Sequence, residues 1–197
     1  MQVENHKEEV PFAHYQQRFM EADGAEISQR MGIALEEGQF AVTLLGTEYH
    51  ISFPAGEITP AAPLPLQTFL LRWLLEGRQA PAYTEFKTFR EMPWGEVYIK
   101  PFTGRILTRA AFTFGTRVAA FRQAAERLGG VALPHGDAGY EFVLLEGYRL
   151  RLLVWEGDDE FPPNAQVLYS DNFAEAFAAE DRVVAGELLI GALKSAM

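Results

Sequence analysis

The sequence predicts an α+β fold, in which antiparallel strands are packed by several helices. Three observations carry that expectation: a hairpin pattern centred near Gly46, a three-stranded meander between Tyr140 and Ser170, and helical apolar stripes beginning near Leu66, Phe114 and Ala179. Apolar residues make up 48% and charged residues 22%, the balance of a chain that folds around a core.

The hairpin pairs Gln39 to Leu45 with Glu48 to Phe53. A two-residue Gly46-Thr47 loop, glycine first, suits a type II′ turn. That register sets Leu44 opposite Tyr49, Val42 opposite Ile51 and Phe40 opposite Phe53, all six on one face. In the meander, Tyr140 to Leu145 and Arg149 to Glu156 are strands joined at Glu146-Gly147-Tyr148. Setting Leu144 opposite Leu150, Phe142 opposite Leu152 and Tyr140 opposite Val154 makes one apolar face and leaves Arg149 and Arg151 on the other. Val167 to Ser170 returns as the third strand.

Among the helices, Val10 to Asp23 places Phe12, Tyr15, Phe19 and Ala22 at helical spacing and ends near Gly24, with Ala25 to Met31 as a short second helix. Pro54 to Pro65 holds four prolines and reads as irregular. Leu66 to Glu76 is apolar on nearly all sides except Gln67 and Arg72, so it is a buried helix, stopped at Gly77. Thr84 to Met92 is expected to give one or two short strands before a Pro93-Trp94-Gly95 turn. Phe114, Val118, Phe121, Ala125 and Leu128 form a stripe ended by Gly129-Gly130. Ala179 to Ala196 is a last helix with Val183, Val184, Leu188 and Leu193 inward. Trp73, Trp94 and Trp155 are expected as core anchors. With no repeat or linker, the chain reads as one domain over 1–197, a helical N-terminal segment of 1–38 leading into a core of 39–197.

Charge and composition exclude several functions. The net charge of −10, from 27 acids against 17 bases, repels phosphate backbones, so nucleic acid is not an expected partner. Zero cysteines remove disulfides, iron–sulfur ligation and thiolate zinc sites. No apolar run approaches the ~18 residues that would span a membrane. Met1 is followed by polar residues without the apolar stretch of a secretory leader, so a cytoplasmic location is expected. Neither a glycine-rich phosphate loop nor a nucleophile-elbow motif is present.

The least ordinary stretch runs from Leu150 to Asp171. An apolar strand drives into Trp155 and then directly into Glu156, Asp158, Asp159 and Glu160, before Phe161-Pro162-Pro163 stops the run. The strand register brings Asp137, and with it the His135-Gly136-Asp137 loop, level with Glu156. Glu156 shares the parity of Leu150, Leu152 and Val154, so a regular strand would point its carboxylate inward, unless Gly157 bends the chain and turns it to solvent. One reading is a divalent-cation site made by Glu156, Asp158 or Asp159 and Asp137, with His135 nearby, since hard cations take several carboxylate oxygens from a short loop. The other is a solvated acidic turn whose side chains cap backbone amides and offset Arg90, Arg149 or Arg151. His135 beside Asp137 also has the makings of a general base, although a glycine-rich surface loop uses the same residue types.

The order of these landmarks resembles the family catalogued as domain of unknown function 3786, from anaerobic bacteria and archaea. The carrying pieces are Pro63-Leu64-Pro65-Leu66-Gln67, Phe89-Arg90-Glu91-Met92-Pro93, Gly129-Gly130, Gly136-Asp137 and above all the Trp155 to Pro163 stretch. The resemblance runs from about Phe40 to the C-terminus. It implies no activity. Some relatives are joined to a Cys-rich iron–sulfur segment, which implies a protein partner in anaerobic redox or corrinoid metabolism, because this chain has no cysteine of its own.

The expected function is therefore that of a non-catalytic cytosolic binding or accessory protein. Its site would be the turn of Glu156, Asp158, Asp159 and Glu160 with His135 and Asp137. The alternative is a Mg²⁺- or Mn²⁺-dependent enzyme, a hydrolase, using the same carboxylates.

Overall fold

The computed structural model describes residues 6–197, with side chains from Glu8 onward. Met1 to Asn5, on which the expectation about a leader rests, lie outside the described residues. The chain is α+β, with two antiparallel sheets. Residue contacts divide it into two compact units, 1–43 with 47–80 and 44–46 with 81–197.

In the first unit, α1 (His6–Met20) and α2 (Gly24–Met31) precede four strands in the order β1 (Leu35–Glu36), β2 (Gln39–Leu44), β3 (Thr47–Ser52) and β4 (Ile58–Thr59). The carboxylate of Asp23 caps α2 by accepting from the N–H groups of Ala25 and Glu26. The hairpin turn is centred on Leu45-Gly46 rather than Gly46-Thr47, with φ of 47° and 79°. Two successive positive φ values make it a type I′ turn, whose twist matches that of the strands. Phe53 N–H donates to Gly38 O, so the pairing is two residues displaced from the expected register. The apolar face survives the displacement: Phe40, Val42, Leu44 and Ile51 are buried, and Phe19, Phe40 and Phe53 meet edge to face. The buried helix α3 (Leu64–Glu76) ends where Gly77 N–H bonds back to Trp73 O.

The second unit is built on a five-stranded sheet ordered β5-β9-β8-β7-β6. Its members are β5 (Phe86–Thr88), β6 (Val131–Leu133), β7 (Ala138–Leu145), β8 (Tyr148–Trp155) and β9 (Asn164–Ser170). The hairpin and the meander thus belong to separate sheets, because β1 and β4 take the hairpin's edges and β5 and β6 take the meander's. In the meander Phe142 faces Leu150, Tyr140 faces Leu152 and Ala138 faces Val154, again two residues from the expected register. A bulge between Val143 and Leu145 absorbs the difference, and Tyr148 opens β8 instead of sitting in the loop. The apolar face is the expected one. On the opposite face Arg149 and Arg151 both bind Glu141, at 3.2 and 2.9 Å.

Helical cover follows from α4 (Gly95–Phe102), a π-helical turn (Thr103–Thr108), α5 (Arg109–Phe114), α6 (Val118–Arg127), the short α7 (Phe173–Ala176) and α8 (Ala179–Ala196). The expected helix beginning at Phe114 is in fact two: Phe114 ends α5, and α6 restarts at Val118. The stretch from Gly95 to Phe114 carried no helical expectation, and its apolar spacing explains why. Phe102, Ile106, Ala110 and Phe114 are all buried, spaced four residues apart. Each such step overshoots an α-helical turn by about 40°. The π turn, entered at Pro101, which has no N–H to give, takes up that drift and returns all four side chains to the core. Phe89 stacks on Phe102 at 4.1 Å, and Phe121 meets Tyr140 edge to face at 5.6 Å. In α8, Val183 and Leu193 are buried as expected, whereas Leu189 and Ile190, rather than Val184 and Leu188, complete the inner face.

Candidate functional site

Strand β8 ends at Trp155, and the chain turns through residues 156–163 into β9. Three close approaches set the path of that turn. Gly157 N–H donates to Gly115 O at 3.2 Å. Pro163 covers Gly157 so closely that a Cβ there would lie 2.6 Å from its Cδ. Gly136, with φ of 70°, lies under β8 where a Cβ would meet Val154 O at 2.8 Å. Glycine is needed at position 136 for both its conformation and its size.

The 135–137 loop does lie beside the acidic turn. Asp137 N–H donates to Val154 O at 2.9 Å, and the Asp137 carboxylate accepts from Glu156 N–H at 2.8 Å. Arg122 donates to Asp137 O. Asp158 closes its own turn: its carboxylate accepts from Glu160 N–H and Phe161 N–H at 2.9 and 2.7 Å, while its N–H donates to Phe161 O at 2.9 Å. Two of the proposed ligands, Asp137 and Asp158, therefore spend carboxylate oxygens on backbone amides. Arg149 and Arg151 serve Glu141, and Arg90 lies 3.6 Å from Glu96, so none of them offsets the turn.

Glu156 does not point inward. The strand stops one residue earlier, and Glu156, Asp159, Glu160, Asp137 and His135 are all exposed. Trp155 and Phe161 stand out of the turn at 36% and 68% exposure, and Trp94 at 73%, so of the three expected anchors only Trp73 is buried. Among the described residues, no three His, Cys, Asp or Glu side chains converge as metal ligands would. The turn presents carboxylates and aromatic rings outward, side by side. In the first unit, a shallow hollow of about 490 Å³ lined by Ile33, Glu36, Glu37, Ala41 and His50 has His50 turned to Glu48 at 3.0 Å.

Phe161 N–H and Glu160 N–H hold the Asp158 carboxyl below its ordinary value of 3.8. Hydrogen bonds from Thr84 do the same for Asp171, and those from Thr88 for Glu91. A carboxyl with a depressed folded pKa contributes stability that is complete above its unfolded pKa and is lost as pH falls through the folded one. The melting temperature is expected to hold from pH 7 to about 5 and to fall below about 4. Asp158→Ala should lower the plateau and shrink the fall. A melting temperature unchanged down to about pH 2.5 would contradict this assignment.

Sequence reasoning missed a buried cluster. Arg182 is 1% exposed, its guanidinium donating to Phe177 O at 3.3 Å and to Pro93 O, and its backbone carbonyl accepting from Tyr169 hydroxyl at 2.8 Å. Burial pulls the Arg182 pKa down and pushes the Tyr169 phenol up. Ser170 and Asn172 form a second buried pair at 2.7 Å, with Asn172 reaching Pro81 O and Gly147 O. Backbone carbonyls accept from both clusters, while the buried Nε of Arg182 has no partner among the described residues.

The model of one family, described as a domain of unknown function (DUF3786), matches residues 23–192. Comparison with curated proteins and with solved structures found no match.

Proposed function

Because this chain belongs to the DUF3786 family, which carries no assigned activity, we propose from its own geometry that it is a non-catalytic cytosolic accessory protein that captures a basic segment of a partner protein. The turn of Glu156, Asp158, Asp159 and Glu160, braced by Asp137 and with His135 in the adjoining loop, is its recognition surface. The observation that supports the reading is the pairing of Glu156, Asp159 and Glu160, exposed and without a cationic partner among the described residues, with the exposed rings of Trp155 and Phe161. A lysine or arginine side chain would gain a carboxylate and an aromatic face together. Asp158 and Asp137 hold the surface in shape through backbone amides. The metal-dependent alternative asks the same two carboxylates to leave those amides for a cation, which makes it the weaker of the two. No helix among the described residues is long and apolar enough to cross a membrane.

The test is titration with a Lys/Arg-rich peptide. Binding is expected in the micromolar range, weakened at least tenfold by Asp159→Lys with Glu160→Lys, and reduced by 0.5 M salt. Both substitutions lie on exposed positions, so the fold should be unchanged. Equal affinity of the variant would remove the assignment, as would turnover by the purified protein that depends on Glu156.

A further inference from the structure

The outward side of the helical segment from Gly95 to Phe114 is unlike the rest of this acidic chain. Residues 97–125 contain no Asp or Glu at all, although acids number 27 in 197. The π turn that sends Phe102, Ile106, Ala110 and Phe114 inward also gathers an opposite, solvent-facing band. That band carries Val97 at 69% and Phe112 at 59% exposure, together with exposed Lys100 and Arg109. Neither cation has a carboxylate partner among the described residues. At its start stands Trp94, 73% exposed and held at φ 62°, a strained conformation for a bulky residue.

The turn that displays Trp94 is closely packed from beneath. Gly95 packs where a Cβ would lie 2.0 Å from Phe89 O, and the buried Arg182 donates to Pro93 O. An exposed indole on a closely packed turn is the kind of aromatic anchor that dominates protein interfaces.

The far end of the band abuts the acidic turn. Gly115 directly follows α5, its carbonyl accepts from Gly157 N–H, and a Cβ on it would touch Trp155 O at 2.7 Å. The helix that carries the basic apolar band thus ends against the acidic aromatic turn. A surface with adjoining positive and negative halves is complementary to itself after a two-fold rotation. We propose that two copies of this chain associate through it, the Lys100 and Arg109 band of each against the acidic turn of the other. The excess charge of the two chains does not prevent this, because at about 0.15 M salt charges more than about 8 Å apart are screened while touching groups are not. The proposal takes the recognition role of the turn from the function proposed above, and adds its occupant and the opposing surface.

Sedimentation equilibrium of the full chain at about 1–100 μM and 0.15 M salt tests it. The wild type is expected as a dimer. Arg109→Glu and Glu160→Arg should each weaken association at least tenfold, and an equimolar mixture of these two variants should recover it, since every contact in the mixed dimer is again between opposite charges. Phe112→Ser should weaken association without such recovery. A monomer throughout the range would overturn the proposal, and so would a dimer indifferent to these substitutions. A monomer that still binds the basic peptide removes this inference alone; failure of the dissociated Arg109→Glu variant, whose acidic turn is intact and free, to bind the peptide removes the other.

Discussion

Arg182→Ala is expected to destabilise the protein by about 3–5 kcal/mol, among the largest effects any single substitution here should produce. The reason lies in what surrounds that side chain. It is 1% exposed, its guanidinium donates to the carbonyls of Phe177 and Pro93, and it stands 5.7 Å over the ring of Phe89. Truncation removes the buried hydrogen bond to the Phe177 carbonyl and the half-buried one to the Pro93 carbonyl, and opens a cavity beside the Phe89, Phe102 and Tyr169 rings, which pack on one another. Arg182→Met would keep most of the volume and forgo only the hydrogen bonds, so about 1–3 kcal/mol is expected. Urea unfolding of the two variants separates the terms. A loss below about 1 kcal/mol for Arg182→Ala would mean that the two carbonyls find other donors and that the aromatic cluster closes over the gap.

Gly115→Ala should have the second large effect, and it joins the fold to the site. Glycine is not required there for its conformation, since φ is −71°. It is required for space: a Cβ would lie 2.6 Å from Pro163 Cβ, 2.7 Å from Trp155 O and 2.8 Å from Ala111 O. All three neighbours are backbone or a stiff ring, so relief must come from moving the 156–163 turn away from the helix. Overpacking of this kind costs about 1–3 kcal/mol or more. The hydrogen bond from Gly157 N–H to Gly115 O should break with it. Amide exchange at Gly157, Asp158 and Phe161 is expected to accelerate more than exchange in β7 or α8. Wild-type exchange in the turn, with unchanged stability, would contradict the view that α5 positions the acidic surface.

What could be read from the residues alone divides along a physical line. Alternation fixes which face of a strand is apolar, and both hairpins kept the expected face. Alternation is blind to a displacement of two residues, which leaves every face unchanged. The two registers were therefore decided by turn chemistry: Leu45 accepts a positive φ beside Gly46, and a bulge near Val143 lets Tyr148 join β8. The helix from Gly95 to Phe114 was hidden because its core positions step by four residues throughout, a stripe that drifts about 40° per step on an α-helix and is drawn onto one face by the π turn. At the site, the neighbourhood of Asp137 and Glu156 was legible, since strand pairing dictates it. The inward direction of Glu156 was not borne out, because a contact remote in sequence, with Gly115, and the closing of Pro163 over Gly157 take the chain off the sheet after Trp155. The exposed band of Lys100, Arg109 and Phe112 had a visible signal in the long run without acids.

The central claim is that the acidic turn recognises a basic side chain through its outward carboxylates and rings. Mapping of backbone amide shifts during addition of a Lys/Arg-rich peptide tests it most directly. The account predicts the largest shifts between Trp155 and Phe161 and in the His135 to Asp137 loop, with little change in the first unit and with Mg²⁺ producing no comparable pattern. Shifts confined to other surfaces, or a sharp response of Asp158 and Asp137 to Mg²⁺ alone, would contradict it.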